Sequence, residues 1–185
     1  MRVIDTPATE DIGQWTEAAL SMEDARKNDF GALLHEHRAI VFKVANTYCW
    51  RPEDRADLGQ EIAVQLWRAW PRYDSSRTFT TWMYRIALNV AISYVRKEVQ
   101  QREITVPLEE ELHDRAGASA ADPVIEERLH RLQQFMERQA PLDRALLLLY
   151  LEDRSQKEIG DILGITPTNV STKISRLKQK IRAEL

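Results

Sequence analysis

The placement of proline and glycine is the feature that most limits how this chain can fold. Four prolines each stand directly before residues with apolar side chains at helical spacing, where a fixed φ angle suits the first turn of a helix. These prolines are Pro52, Pro123, Pro141 and Pro167. The 185 residues include only six glycines, and 43% of the residues are hydrophobic. The pattern predicts an all-α protein whose helices are separated by short breaks.

The helical repeats divide the chain into two predicted domains. Helices are expected at residues 23–48, 53–70 and 78–101, and the second has a ridge formed by Leu58, Ile62 and Leu66. Residues 103–123 are acidic, contain Pro107 and Gly117, and have weak periodicity, which predicts a flexible linker. We therefore predict a tail at 1–22, a domain at 23–102, the linker, and a second domain at 124–185.

The last 31 residues predict a helix-turn-helix. Ser155 and Glu158 have the spacing of a capping box, Gly164 ends the short helix that follows, and Thr166 with Pro167 begins another. Such a pair of helices is typical of proteins that read duplex DNA. The alternative is a helical hairpin that only packs against the rest of the protein and does not bind DNA. The second helix keeps Val170, Ile174, Leu177 and Ile181 on one face. Its outward residues are Thr168, Asn169, Ser171, Thr172, Lys173, Ser175, Arg176, Gln179 and Lys180.

The helix predicted at 53–70 has an acidic face. Asp57 and Glu61 are one turn apart with Gln60 beside them, an arrangement that favours a basic partner; the alternative is an ordinary solvated face. Gly59 lies within this helix at a cost of about 1 kcal/mol, which suggests close approach of a partner.

Aromatic and basic residues alternate just after this helix, as in proteins that bind single-stranded DNA. Trp67, Phe79 and Trp82 fall on predicted core faces, so Trp70 and Tyr73 are the better candidates for stacking on bases. The full run is Trp67, Trp70, Arg72, Tyr73, Arg77, Phe79, Trp82 and Tyr84.

Charge and composition narrow the function classes. The net charge is −3, but basic residues concentrate at 68–102 and 173–182, where a local positive field would attract phosphate. A single cysteine excludes an internal disulfide, and neither a signal peptide nor a membrane-spanning run is expected. No phosphate loop, nucleophile motif or metal-ligand spacing is present, so we expect a protein that is not an enzyme and needs no cofactor or metal. The single cysteine and the lack of a signal peptide predict that it is cytoplasmic.

Three segments in order resemble the extracytoplasmic-function (ECF) sigma factors of bacterial RNA polymerase. Residues 51–61 resemble the family's polymerase-binding helix, residues 79–89 its promoter-melting helix, and residues 142–176 its helix-turn-helix domain. The resemblance covers nearly all of the chain from Asp29. It implies a two-domain protein that carries polymerase core to promoters, often under the control of an anti-sigma factor. The acidic linker would run toward the RNA exit path.

The resemblance also implies three sets of site residues. Contacts with the beta-prime subunit of polymerase core would come from Asp57, Leu58, Gln60 and Glu61. The minus-ten element would meet Arg72, Tyr73, Asp74, Ser75, Ser76, Arg77, Thr78, Arg85, Asn89 and Arg96. The minus-thirty-five element would meet Thr168, Asn169, Ser171, Thr172, Lys173, Ser175, Arg176 and Lys180.

Two rival interpretations remain open from the sequence. A helix-turn-helix regulator could bind duplex operators without polymerase, but it would need neither the acidic face nor the aromatic loop. A pure protein-interaction bundle would show no effect on DNA when Arg176 is changed. The sequence also departs from the family at Gly59, where a bulkier apolar residue is usual, and at Ser93, where an acid is common.

Overall fold

The computed structural model describes residues 27–104 and 123–184, and in these residues it contains helices and no strand. The described residues divide into two compact units, and along the chain the boundary falls between His37 and Arg38. Helix α1 covers residues 27–36 of the first unit. The second unit contains α2 (Arg38–Tyr48), α3 (Pro52–Ala69), a short 3-10 turn (Trp70–Arg72), α4 (Phe79–Ile104), α5 (Pro123–Glu137), α6 (Pro141–Leu151), α7 (Gln156–Leu163) and α8 (Pro167–Glu184).

The predicted breaks account for most of these boundaries. Pro52 and Pro141 lie in the first turns of α3 and α6, as the sequence indicates. Ser155 accepts a hydrogen bond from the Glu158 amide while the Glu158 carboxylate accepts one from the Ser155 amide, so the capping box is confirmed. The hydrogen bonds with Ser155 lower the pKa of the Glu158 carboxyl. Gly164 ends α7 in the left-handed conformation at φ 70°.

Two boundaries differ from the expectation. A turn at His37 interrupts the single helix predicted for residues 23–48. Helix α4 extends to Ile104, two residues into the segment predicted as linker. The last residue of the predicted linker, Pro123, begins α5, and residues 105–122 lie outside the described residues, as does the predicted tail at 1–22.

Helices α2, α3 and α4 pack together around apolar side chains. The predicted ridge of Leu58, Ile62 and Leu66 is fully buried and fixes the side of α3 that faces inward. Helix α4 contacts α2 and α3 and also α6 and α7, so it buries more of its surface than one amphipathic stripe allows. Because of these additional contacts, Tyr84 is only 1% exposed, although the sequence places it among the rings available to DNA.

Arg144 joins α5, α6 and α2. Its guanidinium donates to the backbone oxygens of Glu137, the last residue of α5, and of Gln139, two residues beyond the helix. The same group lies over the ring of Tyr48 at 6.0 Å from the ring centroid. Burial lowers the pKa of Arg144. One side chain therefore fixes the loop between α5 and α6.

The helix groups α2–α4 and α6–α8 contact each other through polar side chains, of which Tyr48 and Tyr84 are buried and Lys43 is exposed. The Tyr48 hydroxyl donates to the backbone oxygen of Pro141 at 2.7 Å. Glu152, just after α6, accepts from Lys43 of α2 and from the Tyr84 hydroxyl of α4, the latter at 3.3 Å. Burial and the Glu152 carboxylate raise the pKa of Tyr84 to about 12. These contacts hold α2 and α4 against the start and end of α6.

The turn between α7 and α8 depends on a close backbone approach. The Gly160 carbonyl accepts from the amides of Gly164 and Ile165, at 2.8 and 3.1 Å. A Cβ atom at position 160 would lie 2.7 Å from the Ile165 carbonyl oxygen, well inside the contact distance. Gly160 is therefore required by the turn, a role that the sequence pattern did not reveal. In contrast, a Cβ at Gly59 would lie 3.8 Å from Val41, an ordinary contact within the protein.

Alanine substitutions at these two helical glycines should have opposite effects on stability. Gly59→Ala should raise the free energy of unfolding by about 1 kcal/mol, because it removes a helix-interior glycine without a clash. Gly160→Ala should lower it by about 1–3 kcal/mol, because the backbone at Ile165 must move. Urea unfolding followed by circular dichroism measures both. Equal losses in the two variants would contradict the difference in packing.

The described residues include no helix that is both long enough and apolar enough to cross a membrane.

Candidate nucleic-acid interface

The outer face of α3 carries the residues predicted to bind polymerase. Asp57, Gln60 and Glu61 are exposed, and the Glu61 carboxylate accepts a hydrogen bond from Gln65 at 2.7 Å. Leu58 is fully buried in the core. Its side chain therefore positions the helix, while a partner at this face would contact the polar residues around it.

Two exposed apolar residues continue this face toward the end of α3. Val64 is 42% exposed and Trp67 is 41% exposed, one and two turns beyond Gln60. The prediction that Trp67 belongs to the core is wrong. The buried ridge runs through Leu66 at four-residue spacing, and the next residue lies about 100° around the helix axis. The apolar character of the Trp67 indole favours a place in the core, although its position next to Leu66 on the helix already indicates exposure.

An open groove of about 860 Å³ lies between α3 and α4. It brings Asp57 and Glu61, predicted to meet polymerase, together with Asn89, predicted to meet DNA. Ser93, Tyr94, Lys97 and Glu98 also line the groove. Burial, together with the Glu98 carboxylate, raises the pKa of Tyr94 to about 12. The groove combines the apolar side chains of Ala69, Ile86 and Val90 with polar ones, and among its charged residues carboxylates outnumber cations.

Four aromatic rings cluster where α3 ends and α4 begins. The Tyr73 ring stacks on Trp70 with centroids 5.2 Å apart and an interplanar angle of 14°. Phe79 meets the Tyr73 ring edge-on at 5.7 Å, and Trp82 lies 5.0 Å from it. Phe79 is buried, as predicted, while Trp70, Tyr73 and Trp82 are half-buried. Trp70 and Tyr73, the two rings predicted to stack on bases, are thus already packed against each other.

The loop that follows Tyr73 is closed by hydrogen bonds of its own. The Tyr73 hydroxyl donates to the Arg77 backbone oxygen at 2.8 Å, and Asp74 accepts from both the amide and the hydroxyl of Ser76. These Ser76 hydrogen bonds lower the pKa of the Asp74 carboxyl. Thr78 donates to the Thr81 hydroxyl at 2.8 Å. The exposed residues of this closed loop are Arg72, Asp74, Ser75, Ser76, Arg77 and Thr78.

The remaining residues predicted to meet the minus-ten element lie along α4. Arg85, Asn89 and Arg96 are all exposed, and of these Asn89 lines the groove. The ring cluster, the loop and this face of α4 follow one another along the chain.

Helix α8 presents the predicted reading surface. Thr166 begins it with a hydroxyl that accepts from the Asn169 amide at 3.2 Å, and Val170, Ile174 and Leu177 are buried beneath it. All residues predicted to read the minus-thirty-five element are exposed except Lys173, which is half-buried. The exposed ones are Thr168, Asn169, Ser171, Thr172, Ser175, Arg176 and Lys180.

The basic residues of α8 differ in their surroundings. Lys173 lies 3.2 Å from the Asp143 carboxylate, Lys180 donates to the Gln139 side chain at 3.4 Å, and Lys178 lies over the Tyr150 ring at 4.4 Å. Within the described residues, Arg176 makes no hydrogen bond or ion pair. Arg176 is therefore the predicted reader whose cation is most available to DNA.

No cluster of histidine, cysteine, aspartate and glutamate that could hold a metal occurs in residues 27–104 and 123–184. Cys49 is buried, and burial followed by the nearby Glu98 carboxylate raises the pKa of its thiol to about 12, so it packs as a small apolar side chain.

Two family models match this chain. The family model for sigma-70 region 2 matches residues 33–101, and the model for sigma-70 region 4 matches residues 129–181. The ECF sigma factor SigM of Bacillus subtilis is 30% identical over 128 residues, which cover 69% of this chain and 77% of that protein. This chain belongs to the ECF sigma factors of the sigma-70 family.

This sigma factor is similar to other members in sequence and fold. It is 29% identical to the ECF sigma factor SigE of Mycolicibacterium smegmatis over 86% of its own residues, and it spans 63% of the length of that relative. The structure of the sigma factor RpoE from Bartonella quintana, in complex with the anti-sigma factor NepR, superposes with a TM-score of 0.64. The match covers 84% of this chain and 95% of that one at 17% identity, so it supports the fold.

The ring cluster should depend on the Tyr73 ring far more than on its hydroxyl. Tyr73→Phe should lower the free energy of unfolding by less than about 1 kcal/mol, because the lost hydrogen bond is exposed. Tyr73→Ala should lower it by about 2 kcal/mol, because three neighbouring rings lose a contact. Thermal melting of the two variants measures the difference. Similar losses would mean that the loop hydrogen bond, and not the ring, holds the cluster.

Proposed function

We propose that this sigma factor binds RNA polymerase core through the outer face of α3 and directs it to promoters, with DNA contacts from both helix groups. It works by binding and not by catalysis, in the cytoplasm where polymerase and chromosome are found. The observation that carries the proposal is the α3 surface, on which exposed Asp57, Gln60 and Glu61 lead directly to exposed Val64 and Trp67.

This surface has the composition of a protein-binding site. Tryptophan is enriched among the residues that contribute most to binding at interfaces, and surrounding polar groups give specificity and orientation. Carboxylates at Asp57 and Glu61 would attract a basic segment of polymerase, while Val64 and Trp67 would supply apolar burial. The groove between α3 and α4 adds Ser93 and Lys97 of α4 to the same surface.

The minus-ten site combines rings with exposed cations. The loop formed by residues 72–78 would capture a base flipped from the non-template strand, at an unstacking cost of a few kcal/mol. Because Tyr73 is already stacked on Trp70, a captured base would meet the outer surface of a preformed cluster. Arg85 and Arg96 would hold the phosphates of the opened strand.

The minus-thirty-five site is the exposed face of α8. Residues near the start of a recognition helix reach base edges, which assigns Thr168, Asn169 and Thr172 to the floor of the major groove. Arg176 would approach a guanine edge or a phosphate. A stand-alone duplex regulator would use this face alone, and it is not favoured because it leaves the α3 surface and the aromatic loop without a role.

An anti-sigma factor is the second partner that we propose. The similar RpoE structure contains such a partner, NepR. The exposed apolar side chains Phe42 and Leu151 are candidates for contact with it, since each is the sequence neighbour of one member of the Lys43–Glu152 pair. A single bound helix could therefore touch both α2 and α6.

Removing the two carboxylates of α3 should weaken binding to polymerase core. Asp57→Asn with Glu61→Gln should lower the affinity by roughly tenfold or more, because charge attraction and interfacial hydrogen bonds are lost from an exposed face. Titration of fluorescently labelled full chain with bacterial polymerase core measures this.

The matched control is Asp153→Asn with Asp161→Asn, which changes the net charge equally at two exposed acids outside α3. Equal loss in the control would mean that net charge, and not this surface, governs binding.

Replacing Arg176 should reduce duplex recognition selectively. Arg176→Ala should cost about 1–3 kcal/mol on duplexes selected by the holoenzyme from a random library, and should relax specificity at one position. Arg182→Ala, at another exposed arginine of α8, is the control and should have a smaller effect. A uniform loss on all sequences would instead identify Arg176 as a phosphate contact.

A further inference from the structure

Lys173 is tied to a carboxylate that lies outside its own helix. Its Nζ atom lies 3.2 Å from Oδ1 of Asp143, which belongs to α6. The pair is partly shielded from solvent, with side-chain exposures of 39% and 22%. Such a pair retains more of its attraction than a fully exposed one. The ammonium group is thus partly neutralised on the face where α8 would meet phosphate.

Asp143 pairs with no cation other than Lys173 among the described residues. It lies in the first turn of α6, where the helix dipole stabilises carboxylates. The adjacent Arg144 does not compete with Lys173, because its guanidinium donates to the backbone oxygens of Glu137 and Gln139. The Asp143 carboxylate is therefore available to Lys173.

A lysine held in this way contributes little to binding of arbitrary DNA. To reach a phosphate, Lys173 must exchange the Asp143 carboxylate for the phosphate, and the carboxylate left behind repels the DNA backbone. Arg176 carries no such restraint within the described residues. Non-specific affinity comes almost entirely from phosphate contacts, so a masked cation reduces it directly. Only a DNA sequence that brings α8 fully into the major groove makes enough further contacts to compensate for the loss of the Asp143–Lys173 pair.

We propose that Asp143 is a specificity-determining residue, which suppresses binding to non-promoter duplex DNA by pairing with Lys173. The inference rests on the proposed role of α8 as the duplex reader. It assigns a function in DNA recognition to a residue of α6, a helix in which the sequence predicted no site residue.

The test measures how the full chain binds a 30-base-pair duplex of arbitrary sequence over a range of KCl concentrations, by fluorescence anisotropy. Asp143→Asn should tighten binding by roughly five- to tenfold at low salt, and should steepen the log–log salt dependence by about 0.9, the contribution of one additional phosphate contact. Thermal melting confirms that the variant folds.

Asp161→Asn is the matched control, because it makes the same charge change at an exposed residue of α7. A gain in Asp143→Asn that exceeds the control and disappears when Lys173→Met is added supports the inference. A gain equal to the control, or one that persists with Lys173→Met, overturns it.

Arg176→Ala separates this inference from the proposed function. If Arg176→Ala weakens binding to the duplexes selected by the holoenzyme while Asp143→Asn matches its control, α8 remains a DNA reader and only the role of Asp143 fails. If Arg176→Ala leaves binding to those duplexes unchanged as well, α8 does not read duplex DNA and both proposals fail.

Discussion

Burial of α4 against helices from both groups is the constraint on which the rest of the structure depends. Because α6 and α7 pack on α4 as α2 and α3 do, Tyr84 lies in the interior and its hydroxyl needs a partner there. Glu152 supplies the acceptor and also pairs with Lys43. The same packing decides which side of α4 remains outside, and so places Arg85, Asn89 and Arg96 on the surface.

The features that the sequence predicted well are those governed by local chemistry. Proline at the first turns of α3 and α6, the Ser155–Glu158 capping box and the left-handed Gly164 each act within a few residues of their own position. The buried ridges of α3 and α8 follow from spacing along a single helix. The exposure of nearly all predicted site residues follows in turn, since a buried stripe determines its opposite face.

The features that could not be predicted depend on which helices meet. Tyr84 has the sequence surroundings of an exposed ring, and only the arrival of α6 and α7 buries it. In the sequence, Lys173 is one of several basic residues along a helix. The fold places beside it Asp143, which lies thirty residues earlier in the chain. Trp67 is a different case: strict spacing from Leu66 would have placed it outside, but its apolar character favoured the core.

The turn at Gly160 has a consequence for how such a protein can diverge. Its tight contact is with the backbone oxygen of Ile165, so the geometry between α7 and α8 does not depend on the side chain at position 165. The steric demand falls on Gly160 and the left-handed conformation on Gly164, and neither residue belongs to α8. The outer residues of α8 can therefore be exchanged for others during evolution, and the promoter sequence that is read can change, while the frame that presents them stays the same.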